Sequence, residues 1–528
     1  MANQSSFIRQ AAILGVSITF VRLMGFFYRI PITNMIGDVG NSYYVLAFQV
    51  FTLAIILPLV ALKTSVVKLT SERIALLEYR NAHEMFRTAM GISIASGVFS
   101  TAILFFMSSQ IANAFLLPEA SYAIRAIAPA VLFVSIMGVV YGRFQGMKTV
   151  LPTAMAQIID QVFKAFFAVF LTIMFFDPTR IHMSAAAATF ATSIGTFAAL
   201  ILGLIVYLKR RKGMLCEGGT TIEGRMQQLK ILSITTLPIY VGALIFVVAN
   251  LVDIRMISSR LLASGFFSEE EAVVLVGQFT GKFVLLTTMP ASIAMALSQV
   301  VLPEISASVS KQDIKGVEIK TNKALRMAML VAFPSAIGLT VLAYPILELL
   351  FPNFPDGGLL LQYGSISIVF MGIFLVTQSL LQGAGYVWLP AISALCGVLV
   401  KIPINYFLLY DSRIHVAGVA VSTIACFVVA AFLNMVFVRK YVGFVPDIKK
   451  AVVKPFISCI TMGLSCYAAF ALFANIVPSR LATVFAIFVG IIVYFPMMLF
   501  LKGIEKEEVM VLPLPKKVKV FVCKFMGV

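Results

Sequence analysis

An apolar run from Ala11 to Ile36 carries two arginines, Arg22 and Arg29, near its middle. The run is long enough to cross a bilayer as a helix, which takes about 20 residues. A guanidinium at that depth costs at least about 2.5 kcal/mol, so by default it faces a polar cavity and has a function. The two arginines stand two helical turns apart and project from one face. Pro31, in the same run, can bend or break the helix and free backbone groups that must then line protein or water. The plainer reading has both side chains snorkel to an interface or meet a structural carboxylate, and it suits Arg29 better than Arg22.

The rest of the chain has the same character. It is 60% hydrophobic and 12% charged, which is about half the usual charged share. This composition implies an all-α polytopic membrane protein with about fourteen transmembrane helices. The expected segments, numbered 1 to 14, cover 11–36, 42–62, 87–108, 121–141, 151–175, 184–208, 231–257, 273–301, 325–350, 359–382, 387–410, 414–438, 452–474 and 481–501. No large polar stretch is left for a soluble catalytic domain. Met1 to Gln10 lacks the basic end, short apolar core and small-residue site of a cleavable signal. The six cysteines, Cys216, Cys396, Cys426, Cys459, Cys466 and Cys523, show no metal or disulfide spacing.

The net charge of +18 is a topology signal rather than a mark of nucleic-acid binding. About thirty of the 41 Lys and Arg residues lie at Arg9 and in alternate connectors: 63–87, 143–148, 209–230, 311–326, 439–454 and the tail from Lys502. The other connectors hold only Arg125, Arg180, Arg260, Arg413 and Arg480. The positive-inside rule then places both termini in the cytoplasm, and an even number of crossings agrees. Leu512 to Val528 alternates lysines with Val, Phe and Met, a pattern that suits either the anionic inner leaflet or a disordered basic end.

The chain also repeats itself. Phe144-Gln145-Gly146, Pro152, Lys164 and Ile181-His182 recur as Leu381-Gln382-Gly383, Pro390, Lys401 and Ile414-His415, with shifts of 237, 238, 237 and 233 residues. Segments 1–6 and 7–12 are therefore expected to form two six-helix lobes in the same orientation, a parallel repeat about an axis along the membrane normal, with segments 13 and 14 outside it. The expected divisions are an N-terminal lobe at 1–208, a basic cytoplasmic linker at 209–230, a C-terminal lobe at 231–438, the two extra helices within 439–501 and a basic tail at 502–528.

Six cations lie inside apolar segments: Arg22, Arg29, Lys164, Arg255, Lys282 and Lys401. Against them the segments set only Asp160 and Asp253, with Asp160 and Lys164 spaced to pair within one helix. Lys282 can also snorkel outward. A cavity lined in this way concentrates anions, phosphates above all, and repels organic cations. No Gly-rich phosphate loop and no helical His pair suggests an ATP motor or zinc chemistry. Glu269-Glu270-Glu271 reads as solvated loop. The sequence thus points to a transporter rather than an enzyme. A multidrug or cation antiporter would need acidic dominance in the cavity, and an integral polyprenyl-phosphate glycosyltransferase a clustered acidic face.

The stretch Arg22-Leu23-Met24-Gly25-Phe26-Phe27-Tyr28-Arg29-Ile30-Pro31 resembles the first helix of the polysaccharide-export and lipid II flippases. The resemblance continues through Lys63 to Arg73 and through Gly142-Arg143-Phe144-Gln145-Gly146, Pro152-Thr153-Ala154, Gln157 and Asp160-Gln161. It extends to Asn250 to Asp253, Arg260-Leu261, Gln382-Gly383 and Lys401 to Tyr406. The family includes stage V sporulation protein B and MurJ-like flippases, within the multidrug/oligosaccharidyl-lipid/polysaccharide exporter superfamily. The resemblance implies a cavity that alternates between the two faces of a bacterial plasma membrane. It implies a polyprenyl-pyrophosphate-linked sugar such as lipid II as substrate, with wall synthases left open as partners. Arg22, Arg29 and Arg255, then Lys164 and Lys401, would meet the head group, and Asp160 and Asp253 would position those charges. It implies no cofactor, with membrane potential or an ion gradient as the driving force. Some relatives bind sodium through an aspartate of helix 7 with polar groups of helices 11 and 12, which matches Asp253, Asn405 and Thr423 in part. Lys401, one turn from Asn405, is a poor neighbour for a cation.

Overall fold

The computed structural model describes residues 2–147, 149–214, 224–310, 312–411, 413–444, 446–501 and 503. Most of the basic linker, the tail, Cys216 and Cys523 lie outside these described residues. The first half comprises α1 (Ala2–Ile55), α2 (Lys63–Ala75), α3 (Tyr79–Phe106), α4 (Ser108–Ala114), α5 (Ala120–Gly146), α6 (Leu151–Met174), α7 (Ile181–Met214), α8 (Arg225–Ala263) and α9 (Glu269–Gly277). The second comprises α10 (Val284–Ser310), α11 (Ile314–Val341), α12 (Ala343–Leu350), α13 (Gly358–Gly364), α14 (Ser367–Gly383), α15 (Trp388–Leu408), α16 (Ala417–Phe437), α17 (Ile448–Phe473) and α18 (Ser479–Phe500). π-Helical stretches at Ile56–Leu62 and Gln278–Phe283 join α1 to α2 and α9 to α10, and a third, Val438–Val442, extends α16.

Among the described residues, twelve helical stretches are long and apolar enough to cross a membrane, and the pair α13–α14, bent by 51°, makes a thirteenth. The first stretch, Phe20–Ile74, is 55 residues long, over twice what one crossing takes. It breaks at Gly37, where φ is 67° and ψ −171°, a region essentially confined to glycine. Counting a crossing on each side of Gly37 gives fourteen. Pro31 is not the break: α1 continues through it, and the Asn34 side-chain amide donates to the Ile30 carbonyl across that turn at 3.1 Å. The acidic run Glu269 to Glu271 is not loop either. It forms the first turn of α9, capped where Ser268 Oγ accepts from the Glu271 N–H and the Glu271 carboxylate accepts from the Ser268 N–H. Three carboxylates at a helix N-terminus are stabilised by its dipole.

The chain forms two compact units, Met1–Lys282 with Leu409–Arg413, and Phe283–Leu408 with Ile414–Val528. In the first, α5 is the centre and packs on α2, α3 and α7, while α6 packs on α7. In the second, α14 holds the same place and packs on α10, α11 and α16, while α15 packs on α16. This shared pairing scheme is the repeat in three dimensions. Helices α17 and α18 pack on each other and on α11 and α12. The counterpart of the first segment, α8, packs within the first unit, on α1, α9 and the Ile56–Leu62 stretch.

Two motifs prove to be packing devices. Gly138, Gly142 and Gly146 form one face of α5, and a Cβ at Gly142 would lie 2.9 Å from the Lys63 carbonyl oxygen. Small residues at this spacing let helix backbones approach. Beside them Arg143 is buried, donates to the Ala82 carbonyl at 2.9 Å and lies over the Phe86 ring. The second device is the docking of Gly277 and Gly281 on the chain just after Gly37. A Cβ at Gly277 would meet the Asp38 carbonyl oxygen at 1.9 Å, and one at Gly281 would meet the Asn41 side chain. Replacing Gly277 by Ala should therefore destabilise the detergent-solubilised protein by about 1–3 kcal/mol, the usual range for overpacking, and lower its thermal midpoint. Gly338→Ala, inside α11 with nothing within 4 Å of the added Cβ, should hold or slightly raise the midpoint.

Candidate functional site

The arginine face of α1 is built from aromatic side chains of the same long helix. Tyr28 is buried, and its hydroxyl lies 3.1 Å from that of Tyr44, sixteen residues on and across the Gly37 break. Tyr44 stacks on Phe48 with ring centroids 5.9 Å apart. The Arg29 guanidinium lies over Tyr44 at 5.3 Å, and the Lys164 ammonium from α6 lies over Phe48 at 5.5 Å. Two of the expected head-group residues thus share one aromatic wall. Cation–π contact holds each charge in place without neutralising it. Arg22, two turns before Arg29, is partly buried on the same helix.

Lys164 is buried, and its nitrogen lies 3.9 Å from Asp160 Oδ2, as the spacing implies. That separation is wider than a hydrogen bond and leaves a loose ion pair. Helix α7 closes over it at Gly195, where a Cβ would stand 2.9 Å from Asp160 Oδ1. Gln161 faces Gly25 of α1, with its amide nitrogen 3.4 Å from where a Cβ would sit.

Lys282 does not snorkel. It is 1% exposed, and its ammonium lies 2.7 and 2.8 Å from the two carboxylate oxygens of Asp38, itself 5% exposed. Asp38 is a third carboxylate that the sequence reading left outside the membrane, because the first apolar segment stops at Ile36. The chain resumes its helix directly after the break at Gly37 and takes Asp38 into the core. The Gly277 and Gly281 contacts bring the two backbones close enough for this direct pair.

Asp253 is 1% exposed on α8, and Arg255 is exposed two residues later, so the two point to different surroundings. In the second unit Lys401 is 7% exposed and Asn405 1%. Lys401 matches Lys164 in burial as well as in the repeat. Asn405 Oδ1 accepts a hydrogen bond from the Ser422 hydroxyl, and Thr423 donates to its own helix at the Val419 carbonyl. Asp253 belongs to the first unit, and Asn405 and Thr423 to the second. Among the described residues no group of three or more His, Cys, Asp or Glu side chains has a metal-binding arrangement.

Residues 7–309 match the family model described as "Polysaccharide biosynthesis protein", and the chain belongs to that family. It is 23% identical over 464 residues to the lipid II flippase MurJ of Bacillus subtilis, covering 83% of this chain and 84% of that one. It is 24% identical over 453 residues to stage V sporulation protein B of the same organism, with 83% and 85% covered. A solved structure, "Lipid II flippase MurJ, inward closed conformation", superposes with a TM-score of 0.69 at 16% identity, over 93% of this chain and 99% of that one. The chain is thus a multi-pass membrane protein with the fold of the multidrug/oligosaccharidyl-lipid/polysaccharide exporter superfamily.

The Asp38–Lys282 pair makes a sharp prediction. Asp38→Asn or Lys282→Met alone strands a buried charge and should cost about 3–5 kcal/mol. The double variant removes both charges and should recover most of the loss. Thermal unfolding of the three purified variants beside the parent checks this, and additive losses in the double would contradict it.

Proposed function

We propose that this protein is an alternating-access flippase. It moves a polyprenyl-pyrophosphate-linked sugar precursor, lipid II or a related lipid-linked oligosaccharide, from the inner to the outer leaflet for cell-wall or polysaccharide synthesis. The observation that carries the reading is the charge balance inside the membrane spans. Away from the span ends, and with Asp38 added, the first unit sets Arg22, Arg29, Lys164, Arg255 and Lys282 against Asp38, Asp160 and Asp253, and Arg143 is a further buried cation. The balance stays positive, and the second unit adds Lys401. An excess cation in a low-dielectric protein is retained where an anion visits it. A pyrophosphate between a lipid tail and a sugar supplies that anion, and guanidinium groups match its oxygens.

Similarity to the MurJ and stage V sporulation proteins supports the same reading. In it, Arg22 and Arg29 meet the pyrophosphate first, the Tyr44–Phe48 wall keeps Arg29 and Lys164 apart, and Arg255 adds a contact; Lys401 is the corresponding head-group cation of the second unit. Asp160 and Asp253 position these charges. Membrane potential or an ion gradient drives the cycle. The protein sits in the bacterial plasma membrane with both termini in the cytoplasm and delivers its substrate to wall synthases.

The test is lipid II exposure on the outer face of cells depleted of their native flippase. The parent chain should restore it, and Arg22→Ala and Arg29→Ala should each lose at least about tenfold, which corresponds to one charge-assisted contact. No exposure despite correct insertion would exclude lipid II as the substrate in that host. Undiminished exposure in both variants would refute the assigned site.

A further inference from the structure

Among the buried side-chain atoms of the first unit that lack a hydrogen-bond partner from the described residues, six lie on α5, α6 and α7: Tyr141 OH, Gln145 Nε2, Thr153 Oγ1, Gln157 Oε1, Asp160 Oδ1 and Thr192 Oγ1. Buried polar atoms are nearly always satisfied, and those without a protein partner take water or an ion. These six are not scattered. Thr153, Gln157, Asp160 and Lys164 recur at three- and four-residue steps and form one stripe along α6, about 16 Å long at 1.5 Å per residue. Tyr141 and Gln145 lie one turn apart on α5, which packs on α7. Tyr141 sits in a cluster with Ala156 of α6 and Ala199 of α7, so the three helices meet there. Thr192 lies one turn from Gly195, the point where α7 touches Asp160.

We propose that this seam carries water from the end of the unit that bears the 143–148 connector, cytoplasmic by its charge, to Asp160. Through it the Asp160 carboxylate takes up one proton in each transport cycle. This rests on the flippase reading and gives its head-group site a linked proton. The stoichiometry is simple: one proton passes from solvent to a carboxylate oxygen, Lys164 keeps its own proton, and the pair goes from neutral to a single positive charge.

The groups around Asp160 favour a proton over a metal cation. Lys164 on the same helix already holds the cationic position at 3.9 Å. Helix α1 presents Tyr28, which in turn lies near Arg29, α5 presents Tyr141, and α7 presents Gly195 and Thr192, which do not titrate. A sodium ion would enter beside the fixed positive charge of Lys164, whereas a proton neutralises the carboxylate from within. Protonation also leaves Lys164 uncompensated on the aromatic wall it shares with Arg29. Proton uptake therefore prepares the anion site, and by linkage a bound anion raises the proton affinity of Asp160.

Infrared difference spectroscopy of the purified full chain between acid and alkaline buffers tests the proton site without substrate. The parent should show a carboxylic-acid carbonyl band that titrates with pH, survives Asp253→Asn and is lost in Asp160→Asn. If Asp160→Asn does not fold, Asp160→Glu should move the midpoint of the band. A parent without a titrating band, a band that survives Asp160→Asn, an unmoved midpoint, or a band that follows sodium rather than pH would each overturn the proposal. Binding of inorganic pyrophosphate, read on the same samples, should strengthen about tenfold as Asp160 protonates, the order expected from one added charge nearby. It should lose that pH dependence in Asp160→Asn. A titrating Asp160 band with no pyrophosphate binding at any pH would uphold the proton site and count against the head-group reading alone.

Discussion

A charge held inside a membrane span must be neutralised, delocalised or hydrated, and this constraint organises the first unit. Each of its polar features answers it in a different way. Lys282 is neutralised by a close, doubly contacted carboxylate at Asp38. Lys164 shares a looser pair with Asp160 and rests on Phe48. Arg29 lies over Tyr44, whose π-face holds the charge without cancelling it. The progression runs from a closed pair to a half-buried cation with no acid against it in the cation–π contact, and the chemistry follows it. The tight pair belongs to the scaffold and the looser ones belong to the site.

The scaffold pair also explains why small residues cluster where they do. An ammonium reaches a carboxylate on another helix at 2.7 Å only where the two backbones lie close. Gly277 and Gly281 provide that approach, and Gly37 supplies the backbone turn that brings Asp38 to them. A buried pair of this kind adds little net stability over an apolar substitute, but breaking it is costly, so it fixes one arrangement of the helices it joins. Close glycine packing recurs along α5, where Arg143 is fixed by a carbonyl and an aromatic ring rather than by an acid.

Much of this was legible in the sequence. Apolar length gave the crossings, because a helix in lipid has to satisfy its own backbone. The Gln-Gly, Pro and Lys series announced the repeat, which returns as the shared pairing around α5 and α14 and as the matching burial of Lys164 and Lys401. The i,i+4 spacing gave the Asp160–Lys164 pair. Asp38 was not legible, since it follows a glycine at the edge of an apolar run and its partner lies 244 residues away. Hydropathy marks such a residue as loop. Pro31 misled for a related reason: proline marks where a helix can break, while the break occurred at the residue whose dihedral angles only glycine tolerates. The Tyr44–Phe48 wall was hidden among many apolar aromatics and became visible only once the cations lay over it.

The measurement that tests the central claim most directly is transbilayer movement of a fluorescent polyprenyl-pyrophosphate-linked sugar in liposomes holding the purified chain. It should be read beside a polyprenyl-linked sugar of the same tail length that lacks the pyrophosphate. A cationic site that selects the charged head group predicts fast movement of the first and background movement of the second. Equal rates for both, or none for either in liposomes with correctly folded protein, would contradict it.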